Sequence, residues 1–284
     1  MAPAPQPPTE GAVRIMSGLL EARTGQLLSE SRAWRVETAL KPVLRAHGLA
    51  DIEALAQRLV RRRDPALEED VVNALLNNES SFFRDPKLFE MIERQVLPHI
   101  RAIRPDRTLR IWSAGCSTGQ EAYSIAMQLR REPDSWQGWR IEIMATDIST
   151  AAIGRARSGL FSRMDVQRGL AVGDMLHWFE PVGDDWRARD ELRRMIDFST
   201  DNLFAPRWPR GQYDLILCRN VLLYFTPQRR QAVLRLLARH SHAGTVLLLG
   251  AGEAVIGQSE DFAAHPDFRG AYGRCPAPPM RRAG

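Results

Sequence analysis

The sequence predicts an α/β fold, in which a mostly parallel sheet with helices on both faces follows an all-helical segment. After about residue 107, short apolar runs typical of strands alternate with helical runs. The predicted strands are 109–114, 140–145, 195–198, 213–218 and 245–250, and the predicted helices between them are 121–131, 150–157 and 227–241. Before residue 100 the apolar side chains recur at helical spacing only, as in Ile52, Leu55 and Leu59.

This change of pattern divides the chain. We predict an N-terminal helical domain over residues 11–100 and a sheet domain over residues 101–274. Charged segments and glycines interrupt the alternation at about 161–194, which predicts a small β-subdomain there. Residues 1–10 and 275–284 are rich in proline without apolar periodicity, so both ends are predicted to be disordered tails.

Composition narrows the class of protein. The longest strictly apolar runs are far shorter than the roughly 20 residues of a spanning helix, so we predict no membrane insertion. Cys116, Cys218 and Cys275 are widely separated, which indicates neither a disulfide framework nor a zinc cluster; we predict no metal and a cytoplasmic location. The net charge of +5 fits an acidic macromolecular partner or a composition bias.

The first predicted strand leads into a glycine loop and a helix, in the sequence LRIWSAGCSTGQEAYSIAMQLRR. Gly115 and Gly119 allow a ligand to approach the backbone, and the first N–H groups of the helix point toward it. Glu121 stands where a phosphate-binding loop needs lysine, and the three-glycine dinucleotide spacing is missing. The loop therefore favours a nucleoside-like ligand with a hydroxyl-rich sugar or a positive centre.

Asp147 closes the second predicted strand. An acid there is suited to accept hydrogen bonds from both ribose hydroxyls of an adenosine-type ligand. The alternative is an N-cap for the helix that starts near Ser149.

Two asparagines follow the third and fourth strands, in the sequences TDNLF and CRNVLLYF. Because the carboxyl ends of parallel strands meet at one crevice, Asn202 and Asn220 are candidates to contact the adenine or an amino-acid tail, although turn formation also explains them. Arg219 interrupts an apolar run, and an unpaired buried guanidinium is costly. We therefore predict that Arg219 points into the crevice or pairs with an acid.

Arg84 and a separate group of four arginines are candidates to bind acidic groups. Arg84, in the segment NNESSFFRD before Pro86, is suited to grip a carboxylate, while the same residues also describe an ordinary helix start. Four arginines gather at the end of an early helix, where either a solvated helix end or an acidic docking partner accounts for them. These are Arg58, Arg61, Arg62 and Arg63.

Five ordered motifs resemble those of the chemotaxis receptor glutamate methyltransferases, the CheR family. They are WSAGCSTGQEAYSIAM, ATDIS, FSTDNLF, YDLILCRNVLLYF and LLLGAGE, and the segment LNNESSFFRD before them is similar to the end of the family's helical domain. The likeness runs from about residue 15 to residue 274 and implies a Rossmann-like S-adenosylmethionine-dependent methyltransferase domain. It implies transfer of a methyl group to glutamate carboxylates in the cytoplasmic signalling helices of methyl-accepting chemoreceptors, with S-adenosylhomocysteine as the other product. We expect the protein to be a monomer.

The resemblance also implies roles for particular residues. Arg84 and Tyr272 would lie near the reacting methyl group, and Arg58, Arg61, Arg62 and Arg63 would dock the receptor. The implied cofactor-binding residues are Asn78, Ser80, Arg84, Gly115, Glu121, Asp147, Asn202, Leu203, Asn220 and Val221.

The chain departs from the family pattern at a few positions. Leu76 and Asn77 replace threonines, and Phe161 stands where the family often has tyrosine, so hydroxyls are missing. In the family the small subdomain can dock a receptor's C-terminal pentapeptide. The compact segment 165–179 favours a member that does not need this tether.

Three other functions are compatible with parts of the sequence. One is a methyltransferase acting on RNA or a small molecule, but the chain lacks interleaved aromatic and basic residues, and we predict no nucleic-acid partner. Another is a non-catalytic module that binds S-adenosylmethionine or its product. The third is an NAD-dependent oxidoreductase, which the loop spacing disfavours.

Overall fold

The computed structural model describes residues 9–28, 35–205 and 211–276, and these divide into two compact units. The first unit contains the residues up to Asn77 together with Tyr224–Thr226, and the second contains the rest. Most of the two predicted tails lies outside the described residues. Thr9 and Glu10 are described, and they begin the first helix.

The first unit is helical. Its described helices are α1 (Glu10–Thr24), α2 (Arg35–Ala46), α3 (Ile52–Arg61) and α4 (Pro65–Leu75). Three of them start with a polar cap, because the side chains of Thr9, Asp51 and Asp64 accept hydrogen bonds from N–H groups of the first turn. Helix α1 ends at Gly25, which adopts the left-handed conformation that terminates many helices.

The second unit has a seven-stranded sheet and a separate three-stranded sheet. The strands are β1 (Thr108–Ala114), β2 (Arg140–Asp147), β3 (Leu160–Ser162), β4 (Phe179–Val182), β5 (Asp185–Ala188), β6 (Ile196–Thr200), β7 (Tyr213–Cys218), β8 (Ser241–Leu249), β9 (Phe262–Ala264) and β10 (Ala271–Arg274). In the large sheet the order is β6-β2-β1-β7-β8-β10-β9, and the first five are mutually parallel. The predicted α/β fold is confirmed, and all five predicted strands are present.

The helices of the second unit connect these strands. They are α5 (Pro86–Met91), α6 (Leu97–Ile103), α7 (Gln120–Arg131), α8 (Thr150–Ser158), α9 (Arg163–Gln167), α10 (Val172–Trp178), α11 (Asp190–Arg193) and α12 (Pro227–Arg239). A π-helical turn (Ile92–Val96) joins α5 to α6, and short 3₁₀ turns occur at Pro133–Trp136 and Leu222–Tyr224.

The boundary between the units differs from the predicted one at residue 100. The second unit begins at Asn78, so α5 and α6 belong with the sheet. The reason is packing: Phe89, Ile92 and Ile100 are buried in the same apolar core as Leu109 and Ile111 of β1. Helical periodicity shows which face of a helix is buried but not which neighbour buries it.

The three-stranded sheet, in the order β3-β5-β4, lies within the predicted small β-subdomain. Its Phe161 and Phe179 pack edge-on against Phe82, with ring centroids 5.0 and 5.3 Å away. Phe161 is almost fully buried, so the position where the family often has tyrosine belongs here to an aromatic core.

The C-terminal hairpin was not predicted. Strand β10 runs antiparallel to β8 and pairs with β9, which adds two short strands to the sheet edge. Among the described residues no helix is long and apolar enough to cross a membrane.

Candidate active site

The glycine loop follows β1 at the carboxyl edge of the sheet. The backbone N–H groups of Gly115 and Cys116 both donate to the carbonyl oxygen of Thr146, at 2.7 and 2.9 Å, which ties the loop to the end of β2. Gly115 has a positive φ of 81°, and a Cβ there would lie 2.4 Å from Cγ2 of Val221. Only glycine fits this position without displacing its neighbours.

Asp147 is fixed by backbone donors on both sides. Its Oδ2 accepts from the N–H of Ser117 at 2.8 Å, and its Oδ1 accepts from the N–H of Ser149 at 2.9 Å. Ser149 itself caps α8 by accepting from Ala152, so Asp147 is not the helix cap. Burial raises the pKa of the Asp147 carboxyl above its ordinary value of 3.8, although these N–H groups act in the opposite direction.

The segment from Asn78 to Asp85 lies against the glycine loop and α7. The hydroxyl of Ser117 donates to the carbonyl of Asn78 at 2.7 Å, and the N–H of Phe83 donates to Oγ of Ser124 at 2.9 Å. Phe82 is fully buried, whereas Phe83 is half-buried, so the adjacent rings have different environments. The segment is an irregular loop that holds Ser80, which is half-buried, and Arg84, which is exposed.

Arg219 joins this segment to α7. One Nη donates to Oε2 of Glu121 at 3.1 Å, and the other donates to the carbonyl of Arg84 at 2.9 Å. The other oxygen of Glu121 accepts from the hydroxyl of Ser113 at 2.7 Å. Of the two predicted arrangements of Arg219, pairing with an acid is confirmed: Glu121 is the nearer partner, and Asp85 lies 3.8 Å from the other end of the guanidinium.

The two predicted asparagines occupy turns after β6 and β7. Oδ1 of Asn202 accepts from the N–H of Phe204 at 2.9 Å, and the preceding residue, Asp201, donates its N–H to the carbonyl of Asp147 at 2.9 Å. Asn220 has a φ of 58°, in the left-handed region that non-glycine residues seldom adopt. Leu203 is half-buried, and Val221 is buried beside Gly115.

Two carboxylates lie beside the glycine loop. Burial raises the pKa of the Cys116 thiol well above its ordinary range, and the charges of Asp147 and Glu121 raise it further. Both carboxylates therefore act on the same loop. Most of the predicted cofactor residues are thus connected, through hydrogen bonds or direct packing, at one edge of the sheet: Asn78, Arg84, Gly115, Glu121, Asp147, Asn202, Asn220 and Val221.

Tyr272 is not part of this hydrogen-bonded network. It lies on β10, paired with Leu247 of β8 and Ala264 of β9, and it is half-buried. Among the described residues no hydrogen bond joins its hydroxyl to the residues around Asp147 and Glu121. Its partner Leu247 stands two residues before the end of β8, near the carboxyl edge.

The four arginines predicted to dock the receptor belong to the first unit. Arg58 donates to Asp64 at 3.0 Å, so its charge is already paired. Arg61, Arg62 and Arg63 are exposed, and within the part of the chain that the structure describes none of them forms an ion pair.

Comparison with known proteins identifies the family. The model of the CheR methyltransferase, SAM binding domain, matches residues 78–268, which is most of the second unit. The chain belongs to the CheR methyltransferase family. Its first matched residue, Asn78, is also the first residue of the second compact unit.

Curated relatives match along nearly their whole length. A chemotaxis protein methyltransferase of Vibrio parahaemolyticus is 34% identical over 252 residues, covering 88% of this chain and 91% of the relative. Chemotaxis protein methyltransferase 1 of Vibrio cholerae is 33% identical, covering 86% and 89%. Chemotaxis protein methyltransferase 1 of Pseudomonas aeruginosa is 31% identical, covering 83% and 87%. This CheR-family chain is therefore an S-adenosylmethionine-dependent methyltransferase.

The site of this CheR protein has a donor and an acceptor that fit the amino-acid tail of S-adenosylmethionine. Nε of Arg219 is buried and lacks a hydrogen-bond partner among the described residues, which leaves a donor beside the Glu121 carboxylate. The amino-acid tail of the cofactor carries both a carboxylate and an ammonium group, which need a donor and an acceptor.

Two residues of this CheR site escaped the sequence analysis. Ser117 connects Asp147 to Asn78, through its backbone N–H and its hydroxyl respectively. Glu253 accepts hydrogen bonds from three backbone N–H groups, including that of Asn220. The only sequence signal for Glu253 is its position in the closing LLLGAGE motif.

Proposed function

We propose that this CheR-family enzyme methylates glutamate side chains in the cytoplasmic signalling helices of methyl-accepting chemoreceptors. The products are a glutamate methyl ester and S-adenosylhomocysteine. The observation that carries the proposal is the connected set of Asn78, Arg84, Glu121, Asp147 and Asn220 at the carboxyl edge of the sheet, where ligands of such sheets bind.

The acids are assigned to cofactor binding. Asp147 would accept hydrogen bonds from the ribose hydroxyls, and Glu121 would hold the ammonium end of the amino-acid tail. Asn202, Leu203, Asn220 and Val221 would enclose the adenosine, and Asn78 and Ser80 would contact it from the irregular segment. S-adenosylmethionine supplies a methyl group made electrophilic by its positive sulfur.

The chemistry needs no general base. The methyl group leaves sulfur as a new bond forms to a glutamate oxygen, and no proton moves. A glutamate carboxyl with a pKa of about 4.3 is already ionised at neutral pH. The residues of this chain therefore act by alignment and by excluding water, effects worth up to about 7–11 kcal/mol for well-oriented reactants.

Arg84 is the candidate to orient the substrate carboxylate. Its guanidinium is exposed, and its only hydrogen bond among the described residues is a long one, 3.4 Å, to the carbonyl of Glu79. Its backbone, in contrast, is fixed by Arg219. An exposed guanidinium on a fixed backbone suits a residue that grips an incoming carboxylate. Tyr272 is assigned near the reacting methyl group by its position in the family's C-terminal motif.

The receptor would dock on the exposed arginines at the end of α3. Arg61, Arg62 and Arg63 are exposed beside Val60, which is 70% exposed, and no described residue forms an ion pair with any of the three. Such a surface favours an acidic helix that also carries apolar side chains. Arg58 would contribute less, because Asp64 neutralises it. We further propose that the enzyme works as a cytoplasmic monomer without a pentapeptide tether.

The decisive experiment is transfer of a labelled methyl group. The purified chain is incubated with methyl-labelled S-adenosylmethionine and cytoplasmic receptor fragments, and the labelled protein is treated with mild alkali. A carboxyl methyl ester releases labelled methanol. A receptor fragment whose candidate glutamates are replaced by alanine serves as the control.

Three other outcomes would contradict the proposed reaction or its substrate. Label that survives alkali would contradict a glutamate ester, and label on RNA in place of the receptor would indicate another substrate. Cofactor binding by calorimetry without any transfer would indicate a non-catalytic module.

A further inference from the structure

Glu253 makes an unusual set of contacts at the edge of the proposed cofactor site. Its Oε2 accepts from the N–H of Asn220 at 2.8 Å and from the N–H of Gly250 at 2.7 Å. Its Oε1 accepts from the N–H of Leu223 at 3.1 Å. One carboxylate therefore holds the turn after β7 and the end of β8 together.

The backbone at this junction has little freedom. A Cβ at Gly250 would lie 2.7 Å from Nδ2 of Asn220 and 2.8 Å from its backbone nitrogen, so the ends of β7 and β8 approach too closely for any side chain there. Asn220 also adopts a left-handed conformation that costs a non-glycine residue free energy. Such a conformation persists only where surrounding contacts hold it, and the Glu253 carboxylate provides two of those contacts.

The turn after β7, which Glu253 contacts, packs against the glycine loop. Val221, the next residue, packs so closely on Gly115 that no Cβ fits between them. A change in the backbone of Asn220 therefore moves the side chain of Val221 and disturbs its packing against Gly115. The Glu253 carboxylate also acts on the neighbouring strand end, because its charge adds to burial in raising the pKa of the Cys218 thiol.

We infer that Glu253 is a positioning residue for cofactor binding. It holds Asn220 and Val221 in the shape that receives S-adenosylmethionine, without touching the reacting atoms. This inference rests on the proposed function, because it takes the turn at Asn220 and Val221 as part of the cofactor site.

A carboxylate is required because both of its oxygens accept hydrogen bonds here. In Glu253→Gln one oxygen becomes an NH₂ group, which donates and cannot accept. Either the N–H of Leu223 or those of Asn220 and Gly250 then lose their acceptor. Hydrogen bonds to a charged group contribute about 1.5–3 kcal/mol each, which corresponds to roughly a 10- to 100-fold loss of cofactor affinity if the turn must be rebuilt on binding.

The test compares Glu253→Gln with Glu260→Gln, an exposed glutamate in the same loop region. Binding of S-adenosylhomocysteine is measured by calorimetry, and steady-state rates are measured with a receptor fragment. For Glu253→Gln we expect the Kd and the KM for the cofactor to rise at least about tenfold, while the KM for the receptor and kcat change by less than about twofold. Glu260→Gln should match the unaltered enzyme.

A local readout separates positioning from general stability. Hydrogen exchange at the amides of Asn220, Leu223 and Gly250 should accelerate in Glu253→Gln, while the amides of β1 and β7 keep their protection. Unchanged cofactor affinity in a folded Glu253→Gln variant would overturn the inference and leave the proposed function intact. Exchange that rises equally across the whole sheet would also overturn it. Failure of the unaltered chain to bind the nucleoside would remove the proposed function itself, and this inference with it.

Discussion

Arg219 and Glu121 form an ion pair at 3.1 Å in which the arginine side chain is 4% exposed and the glutamate side chain 13% exposed. Each partner also forms a second hydrogen bond. Glu121 also accepts from Ser113, and Arg219 also holds the backbone of Arg84. The pair therefore couples the shape of the cofactor site to the position of the arginine proposed to meet the substrate.

Replacing Arg219 with methionine should lower both stability and cofactor affinity. Removing one partner of a buried pair leaves the other charge uncompensated, which typically costs about 3–5 kcal/mol. We expect the free energy of unfolding in urea to fall by about 3 kcal/mol and the Kd for S-adenosylhomocysteine to rise at least tenfold.

The double variant Arg219→Met with Glu121→Gln tests the cause. It should recover about 1 kcal/mol or more of stability relative to Arg219→Met, because the stranded charge is gone. Arg235→Met, at an exposed position of α12, is the control and should be neutral. Strictly additive effects of the two substitutions would show that the pair is not coupled.

Substituting Gly115 with alanine should damage the cofactor loop. The new Cβ meets Val221 at 2.4 Å and adopts a positive φ, so both a clash and backbone strain arise. Gly257→Ala is a matched control, because Gly257 has a φ of 72° and a Cβ added there would have nothing within 4 Å. Strain alone costs about 1–2 kcal/mol, so Gly115→Ala should lose more stability than Gly257→Ala and also lose cofactor affinity. Equal losses in thermal unfolding and in calorimetric binding would argue against the close contact with Val221.

Cofactor binding should weaken in acid as Asp147 takes up a proton. Burial raises its pKa, so protonation begins at a higher pH than the ordinary value of 3.8 implies. The protonated carboxyl accepts ribose hydrogen bonds less well, and the affinity for S-adenosylhomocysteine should fall as the pH drops through this raised pKa. A pH series of calorimetric titrations checks this. The variant Asp147→Asn should bind S-adenosylhomocysteine weakly, and its affinity should not fall further as the pH drops. If the affinity of Asp147→Asn fell in acid in the same way, a group other than Asp147 would be taking up the proton.

The raised pKa of Asp147 also affects stability. The folded chain holds this proton more tightly than the unfolded chain does. The contribution of Asp147 to the free energy of unfolding is therefore largest in acid, and it declines as the pH rises from about 3.8 through the folded pKa. Comparison of urea unfolding for the unaltered chain and Asp147→Asn across this range measures the difference.

Two of the three cysteines should resist thiol reagents in the folded protein. Cys116 and Cys218 are almost fully buried, and burial with nearby carboxylates raises their pKa values well above the ordinary range. Because the thiolate is the reactive form, only Cys275, which is half-buried, should react at pH 8. Titration with Ellman's reagent should give one fast thiol in the native chain and three in denaturant. A native chain carrying Cys275→Ser that still shows a fast thiol would contradict the structure.

Reversing the exposed arginines should weaken receptor capture alone. In the triple variant of Arg61, Arg62 and Arg63 to glutamate, we expect the KM for a receptor fragment to rise roughly tenfold at low salt, with cofactor affinity unchanged. The difference from the unaltered enzyme should shrink as salt screens the charges. Arg235→Glu with Arg239→Glu, two charge reversals on the exposed face of α12, is the control for charge reversal away from this cluster. Equal methylation rates at low salt would rule out this docking surface.

Much of the fold could be predicted from local patterns. The alternation of apolar runs and helical runs indicated the five parallel strands, because strand and helix periods are properties of neighbouring residues. Gly115 and Asp147 could be selected for the same reason, since turn glycines and strand-end acids are local signals. The presence of Arg219 in an apolar run was enough to predict that it either points into the crevice or pairs with an acid.

The identity of that partner was beyond the sequence. Glu121 lies 98 residues from Arg219, and only the parallel packing of β1 beside β7 brings them together. The three hydrogen bonds of Glu253 and the antiparallel pairing of β10 with β8 also depend on tertiary packing. The sequence by itself determined the class of fold, the order of its elements and the chemical types that surround the site. The tertiary structure alone decided which backbone N–H meets which carboxylate and where the second unit begins, because such pairings depend on how distant segments pack and leave no periodic trace along the chain.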